Sequence, residues 1–309
     1  MRREQKSFAF PVGTFVLFVA VLLLSLRGTP HERRLVVGVQ LTEPQMLDSL
    51  LATARREGSR VSTYEAPMGR VFHLVECQGS GAARVIVECL PPGTENVAAS
   101  SVLMAHAGPQ GWRPDVVLAM TLCDVANTSP GDIALNSAWA IGHSGRLDGH
   151  GYRPEELWTW DPTLQEARPA RFFWSNQRLL AMAVDSYLRL RELLVAEQRY
   201  TAAGSPDPLP RLHLDRVGVS TEMEFASSPL VDSWQEVLAN GAQDGLRLLP
   251  GSTERGLAAA AKVFQESGIP FAGAAVSAPA EPMSTAVALA SRFLWTWIGE
   301  VTKDWGPVE

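Results

Sequence analysis

Apolar residues in this chain gather into two kinds of run, short unbroken ones and longer ones with a helical period. "RRLVVGVQLTEPQMLDSLLATARREG", from Arg33, shows both in succession. Leu35 to Val39 is continuously apolar, the pattern of a strand covered on both faces. Met46, Leu47, Leu50 and Leu51 then recur at helical spacing, and Gly58 supplies a stop. "VFHLVEC" and "RVIVEC", joined by "QGSGAA", predict a hairpin whose strands end in Cys77 and Cys89. "LPPGTENVAASSVLMAHAG" predicts a Pro/Gly turn and a helix from about Glu95, with an alanine-rich face suited to close packing on a sheet. "RPDVVLAMTLCDV" reads as another buried strand, and "NTSPGDIALNSAWAI" as a turn leading into one more.

The period is lost from Gly142 to Ser175, a segment rich in Gly, His, Trp and Pro. It predicts a long surface excursion, with Trp158, Trp160, Phe172, Phe173 and Trp174 packing it onto the sheet. "NQRLLAMAVDSYLRLRELLVAEQ" restores a helical period, and "TAAGSPDPLPR" reads as a loop. A strand at Arg216 to Ser220 follows, then "STEMEFASS" and a helix over Pro229 to Asn240. An approach loop, a helix from about Thr253, a strand from Ile269 and a closing helix from Ser284 to Lys303 complete the chain. Alternating strands and helices predict one α/β domain over residues 35–305, with a mostly parallel mixed sheet flanked by helices.

One run fits neither kind. "FAFPVGTFVLFVAVLLLSL", Phe8 to Leu26, is 19 residues without a charge. At ~1.5 Å per residue this nearly matches a ~30 Å hydrocarbon core. Residues 1–7 carry Arg2, Arg3 and Lys6 as a basic flank, and residues 27–34 form a linker. A cleaved signal is the competing reading, but "LSLRGTP" lacks the small-x-small pattern such a site needs. The sequence therefore predicts a single-pass signal anchor with the main domain extracytoplasmic. Arg27, Arg33 and Arg34 also place positive charge beyond the span, so orientation is weakly specified.

Composition narrows the function classes a little. With 46% hydrophobic and 19% charged residues, the chain is ordinary globular material. A net charge of −6 without a dense Lys/Arg stripe argues against a nucleic-acid partner. Scattered histidines and three cysteines give no metal-ligand spacing, and neither GxGxxG nor GxxxxGK occurs. Neither a metal nor an organic cofactor is expected. Cys77 and Cys89 leave two readings open, a disulfide or free buried thiols.

The order of the pieces resembles the nucleoside phosphorylase and nucleosidase superfamily. "VVGVQLTEPQ" stands where such proteins have a first strand and a turn with a Glu, here Glu43. "GTENVAASS" matches a glycine turn before an "NAA" helix, and "RPDVVLAM" with "SPGDIALNSAW" matches a strand followed by a GD turn and strand. "STERGLAAAAKVFQESGIPFAGAAV" matches a Glu, an alanine-rich helix and a "GIPF" strand. "NSAWA", "GHGY" and "WTWDP" echo its purine nucleoside permease branch. The matches run in the right order over about residues 35 to 305.

The resemblance implies a purine nucleoside cleft at the carboxyl ends of the strands, where open parallel sheets also bind ligands on general grounds. By position it implies Glu43 near base and sugar, Thr94 near ribose or phosphate, and Glu254 on the ribose hydroxyls. Glu222 and Phe225, in "STEMEFASS", would wall the purine. Phosphate as a co-substrate and assembly into a homo-oligomer are both left open.

Two departures qualify this. The family's glycine-rich "GSAGG" run is "TLCDVAN" here. The Ser-Asp that protonates the purine leaving group is replaced in "VSAPAEP" by Ala278 or Pro279, with Glu281 the nearest acid. Glu43 and Glu281 are therefore weak catalytic candidates. The expected function is a membrane-anchored domain that binds a purine nucleoside with altered or degraded N-glycosidic chemistry. The alternatives are an active nucleosidase or phosphorylase, and a non-catalytic scaffold.

Overall fold

The computed structural model describes residues 34–305, apart from 78–82, 107, 109–110, 124, 126–127, 142–144, 149–150, 155, 201–208, 221–248, 255 and 279–282. The chain divides into Met1–Arg34 and Leu35–Glu309, and the second unit is the one described. The apolar run Phe8 to Leu26 lies outside the described residues, as does the helix expected over Pro229 to Asn240. Among the described residues, no helix is long and apolar enough to cross a membrane.

The first half runs β1 (Val36–Leu41), α1 (Pro44–Arg56), β2 (Arg60–Ala66), β3 (Arg70–Glu76), β4 (Arg84–Cys89), α2 (Thr94–His106), β5 (Val116–Cys123) and β6 (Ile133–Ile141). Short strands follow: β7 (Gly145–Asp148), β8 (Gly151–Pro154), β9 (Leu157–Asp161), β10 (Glu166–Ala170) and β11 (Phe173–Trp174). The remainder is α3 (Gln177–Tyr200), β12 (Leu212–Ser220), β13 (Leu249–Glu254), α4 (Leu257–Glu266), β14 (Phe271–Ser277) and α5 (Met283–Asp304).

Among the described residues, ten strands form one mixed sheet, ordered β13-β12-β6-β14-β5-β1-β4-β3-β2, with β11 beside β6. Strands β4, β1, β5 and β14 run parallel, as do β6, β12 and β13, and the two sets meet antiparallel at β14 and β6. Helices cover both faces. Val37, Val39 and Leu41 of β1 join Val116, Leu118 and Met120 of β5 against α1, α3 and α5. Val117, Ala119 and Phe271 face the other way, against Val97 and Met104 of α2 and Leu257 and Phe264 of α4. This two-sided burial explains why the central strands lack alternation in sequence.

Trp139 is the pivot of the second layer. A Cβ at Gly218 or Gly273 would come within 2.6 or 2.5 Å of its ring. Its Nε1 donates to Ser175 Oγ at 2.9 Å, and Ser175 Oγ donates to the Asn136 carbonyl at 2.6 Å. That chain of bonds fastens the end of the 142–175 excursion to β6.

Several expectations need correction. The excursion is not aperiodic, since it holds two hairpins and contributes β11 to the main sheet. Phe173 is fully buried, but Trp158, Trp160 and Trp174 are 69%, 45% and 47% exposed rather than packed on the sheet. Strand β2 is absent from the sequence reading because its exposed, polar face gives no hydrophobic signal. The disulfide alternative fails: all three cysteines are free. Register is the reason. The Cys77 amide donates to Ala83 at the turn, whereas Glu88 pairs with Phe72 at the far end of the hairpin. Cys89 thus stands about 20 Å from Cys77 at ~3.3 Å per residue, far beyond the ~7 Å limit for bridging.

Candidate functional site

The carboxyl ends of β1, β4, β5 and β14 open onto one edge of the sheet. At β1 the chain turns through Thr42 and Glu43 into α1. The Thr42 amide donates to the Met120 carbonyl, and Thr42 Oγ1 donates to Thr121 Oγ1 at 2.9 Å. These bonds lock the turn to the end of β5. Pro44 forces Glu43 into extended backbone (φ −121°, ψ 128°), and the Glu43 carboxylate makes no capping bond to α1. The half-buried Glu43 instead lies close enough to Cys89 to act on its thiol. Burial first, then Glu43, Glu88 and Asp48, push that thiol up to about 11. Cys89 is consequently held in its thiol form at neutral pH.

At β4 the chain crosses Leu90 to Gly93 and enters α2. Gly93, at φ +95°, accepts the Val97 amide through its carbonyl, so the helix begins at Thr94, which is buried. The backbone N–H groups of Thr94, Glu95 and Asn96 precede the first intrahelical donor and have no helical acceptor. Gly256 packs against this first turn. A Cβ there would lie 2.8 Å from Val97 Cγ2 and 3.4 Å from Thr94 Cα. Glu254 ends β13 two residues before Gly256, so the fold carries its backbone to the amino terminus of α2.

Beneath α2 lies a buried polar cluster. Gln40 Nε2 donates to Ser101 Oγ at 3.0 Å, and Ser100 Oγ donates to Glu88 Oε1. Burial pushes the Glu88 carboxyl up to about 7, against the opposing effects of Ser100, Arg70 and Gln40. These contacts fix the position of α2 on β1 and β4, and with it the position of Thr94.

At the end of β14, the Ser277 amide donates to the Asp132 carbonyl at 2.8 Å, and the Ala278 amide donates to the Cys123 carbonyl at 3.0 Å. Asp132 is a turn anchor. Its carboxylate accepts from the backbone N–H of Ser129 and Arg211 and pairs with His213 Nε2 at 2.9 Å. Burial acts to raise its pKa, but those bonds outweigh it and hold the group below the ordinary aspartate range.

Comparison with solved structures finds this arrangement of strands and helices again. A 5′-methylthioadenosine/S-adenosylhomocysteine nucleosidase of Helicobacter pylori, complexed with an inhibitor, matches at TM-score 0.58 and 15% identity over 86% of this chain and 99% of that one. The fold is the nucleosidase fold. Futalosine hydrolase of the same species matches at TM-score 0.56 and 15% identity, over 86% and 98%. The Campylobacter jejuni 5′-methylthioadenosine/S-adenosylhomocysteine nucleosidase matches at 0.52 and 12%, over 87% and 99%. No protein-family model matches the sequence. No curated protein matches it either.

Within the nucleosidase fold, Glu43, Thr94 and the backbone of Glu254 come to the same end of the molecule. Glu254 is not at a helix start as expected. Parallel pairing with Ser220 of β12 holds it in a strand, and the helix waits until Leu257. Glu222, Phe225 and Glu281 lie outside the described residues. Thr42 and Thr121 were missed, although each leaves a trace: Thr42 immediately precedes Glu43, and Thr121 interrupts an otherwise apolar strand. The two departures from the family pattern prove to be neighbours, since Ala278 bonds to Cys123 at the end of β5.

Proposed function

We propose that the domain binds a purine nucleoside or a related N-glycoside at this edge and cleaves its N-glycosidic bond, as a nucleosidase or with phosphate as co-substrate. The observation that carries the reading is the convergence of Glu43, the amino terminus of α2 at Thr94, and the Glu254–Gly256 junction. A carboxylate at Glu254 suits a vicinal diol, because one carboxylate accepts two hydroxyl hydrogen bonds. The amides of the first turn of α2, which lack a helical acceptor, suit the ribose oxygens or a phosphate. Glu43 serves the base and sugar, Glu222 and Phe225 the purine wall, and Glu281 the proton for the leaving base. The permease-like branch is part of the same proposal and rests on "NSAWA", "GHGY" and "WTWDP".

A binding-only reading is favoured by one observation, the pairing of Ala278 with Cys123 where the family pattern has Asp and glycine. Incubation of the full chain with inosine, adenosine and methylthioadenosine, with and without phosphate, separates the two. Free base that Glu254→Ala abolishes supports cleavage, whereas nucleoside-dependent thermal stabilisation without base supports binding alone. A chain that responds to no nucleoside returns the scaffold alternative.

The membrane anchor over Phe8 to Leu26, the extracytoplasmic placement and a homo-oligomer belong to the proposal too. The uncharged length of 19 residues is what supports the anchor.

A further inference from the structure

Two polar residues stand side by side within an apolar layer. Gln40 of β1 and Glu88 of β4 are partners across the parallel ladder, and both are buried, at 0% and 1% exposure. Phe72, Leu74 and Ile86 belong to the same layer, with Val97 and Met104 of α2. Gln40 and Glu88 meet successive serines of α2, which are themselves fully buried. Gln40 Nε2 donates to Ser101 Oγ, and Glu88 Oε1 accepts from Ser100 Oγ. Ser101 Oγ also donates to the Val97 carbonyl at 2.8 Å, one turn back along α2.

This set of four straddles the candidate site. Glu88 and Ser100 stand at either end of a stretch that carries the turn from Leu90 to Gly93 and the first turn of α2, with Thr94. Gln40 belongs to the strand that leads into the Glu43 turn. One bond therefore closes the loop from β4 to α2, and the other ties that loop to β1. Glu88 Oε2 is also buried, with no hydrogen-bond partner among the described residues. The groups that face Glu88 are Ser100 of α2, Arg70 of β3 and Gln40 of β1, and Arg70 is the charged one. Cys89 points to the other side of β4, where its thiol feels Glu43, Glu88 and Asp48. Burial pushes the Glu88 carboxyl up to about 7, so it gains its charge around neutral pH.

We propose that Glu88 is a positioning residue for the candidate site, which seats the amino-terminal turn of α2 while neutral and loosens that turn on ionising. A carboxylate in an apolar layer with one oxygen unbonded is costly. Water relieves that cost, and because Glu88 faces α2, water reaches Oε2 as the helix lifts from the sheet. The Thr94 turn moves with the helix, and a bound ligand is held less firmly. The consequence for a ligand rests on the nucleoside site proposed above; the movement of α2 does not.

The full chain, labelled at its valine methyls, is compared with Glu88→Gln at pH 5.5 and pH 8.5. Val97 packs on Gly256 at the first turn of α2, so its methyl contact with the Gly256 α-protons, read as a nuclear Overhauser effect, reports the seating. Affinity is read by calorimetry with formycin A, an adenosine analogue whose C-glycosidic bond resists cleavage. In the wild type the contact is expected to weaken at pH 8.5, and the dissociation constant to rise by about fivefold or more. Glu88→Gln keeps an acceptor for Ser100 but cannot ionise, and neither quantity is expected to change in it. A contact that is the same at both pH values makes the cluster a purely structural pin and overturns the inference. A response that persists in the variant belongs to another group and overturns it too. So does formycin A binding with an affinity that ignores pH. If the variant does not fold, the wild type decides: the Glu88 carboxyl carbon and the Val97 contact must titrate with one midpoint, and separate midpoints overturn the inference. A contact that follows Glu88 in a chain that binds no formycin A strikes the proposed function and leaves the seating role standing.

Discussion

Glu88 shows how far a single residue can depart from its surface habits. It sits in β4, is buried, and shares its carboxylate with Ser100. Burial raises its folded pKa to about 7, above the ordinary 4.5. Between these values the unfolded chain releases the proton that the folded chain keeps, so stability falls as pH rises through that window and levels off above it. Glu88→Gln keeps an acceptor for Ser100 and removes the ionisation. Urea unfolding at pH 5 and pH 8 is expected to show a loss of up to ~3 kcal/mol in the wild type and little change in the variant. A pH-independent wild type would refute the burial account. The sequence marked Glu88 only as a polar position in "RVIVEC". Its partners Gln40 and Ser100 come from distant elements, so no local pattern announces the cluster.

Among elements, the β13–α4 junction is the most informative. Local sequence suggested a loop and a helix with Glu254 at its start, because "LPGSTE" carries Pro and Gly. Pairing with β12 overrides that propensity. Gly256 then makes the turn at φ +100°, packed against Val97 and Thr94. Gly256→Ala meets both a positive φ and a 2.8 Å contact, and is expected to destabilise by ~1–3 kcal/mol. It should also weaken any nucleoside effect, since the Thr94 turn moves with the junction. Thermal melts with and without nucleoside check both parts. The α-helices were far easier to read than this junction. The closing helix, expected over Ser284 to Lys303, spans Met283–Asp304, because its apolar period is long and unambiguous.

For the whole molecule, the described features sort to the two edges of the sheet. The turns of the candidate site gather at the carboxyl ends of β1, β4 and β5. The start of β1 and the backbone of Trp160 lie toward the amino ends, through the Asp115–Val36 and Glu266–Trp160 bonds. If the anchor spans a bilayer, the full chain should remain with the membrane fraction after alkaline carbonate extraction. Deleting residues 1–30 should release the domain to the supernatant. Release of the full chain by carbonate would remove the anchor from the account.

Sequence alone determined what depends on local period and chain order. It determined the α/β class, the long helices and the central buried strands, since burial on two faces writes itself as continuous apolar runs; the order of motifs carried the resemblance to nucleosidases. Tertiary structure decided what depends on partners remote in the chain. Register placed Cys77 and Cys89 too far apart to bond, and pairing with β12 turned the Glu254 segment into a strand. Packing on α4 left Trp158 and Trp160 facing outward, where their hydrophobicity had suggested burial. A side chain's type states what it prefers, but only the folded chain sets which neighbours are within reach.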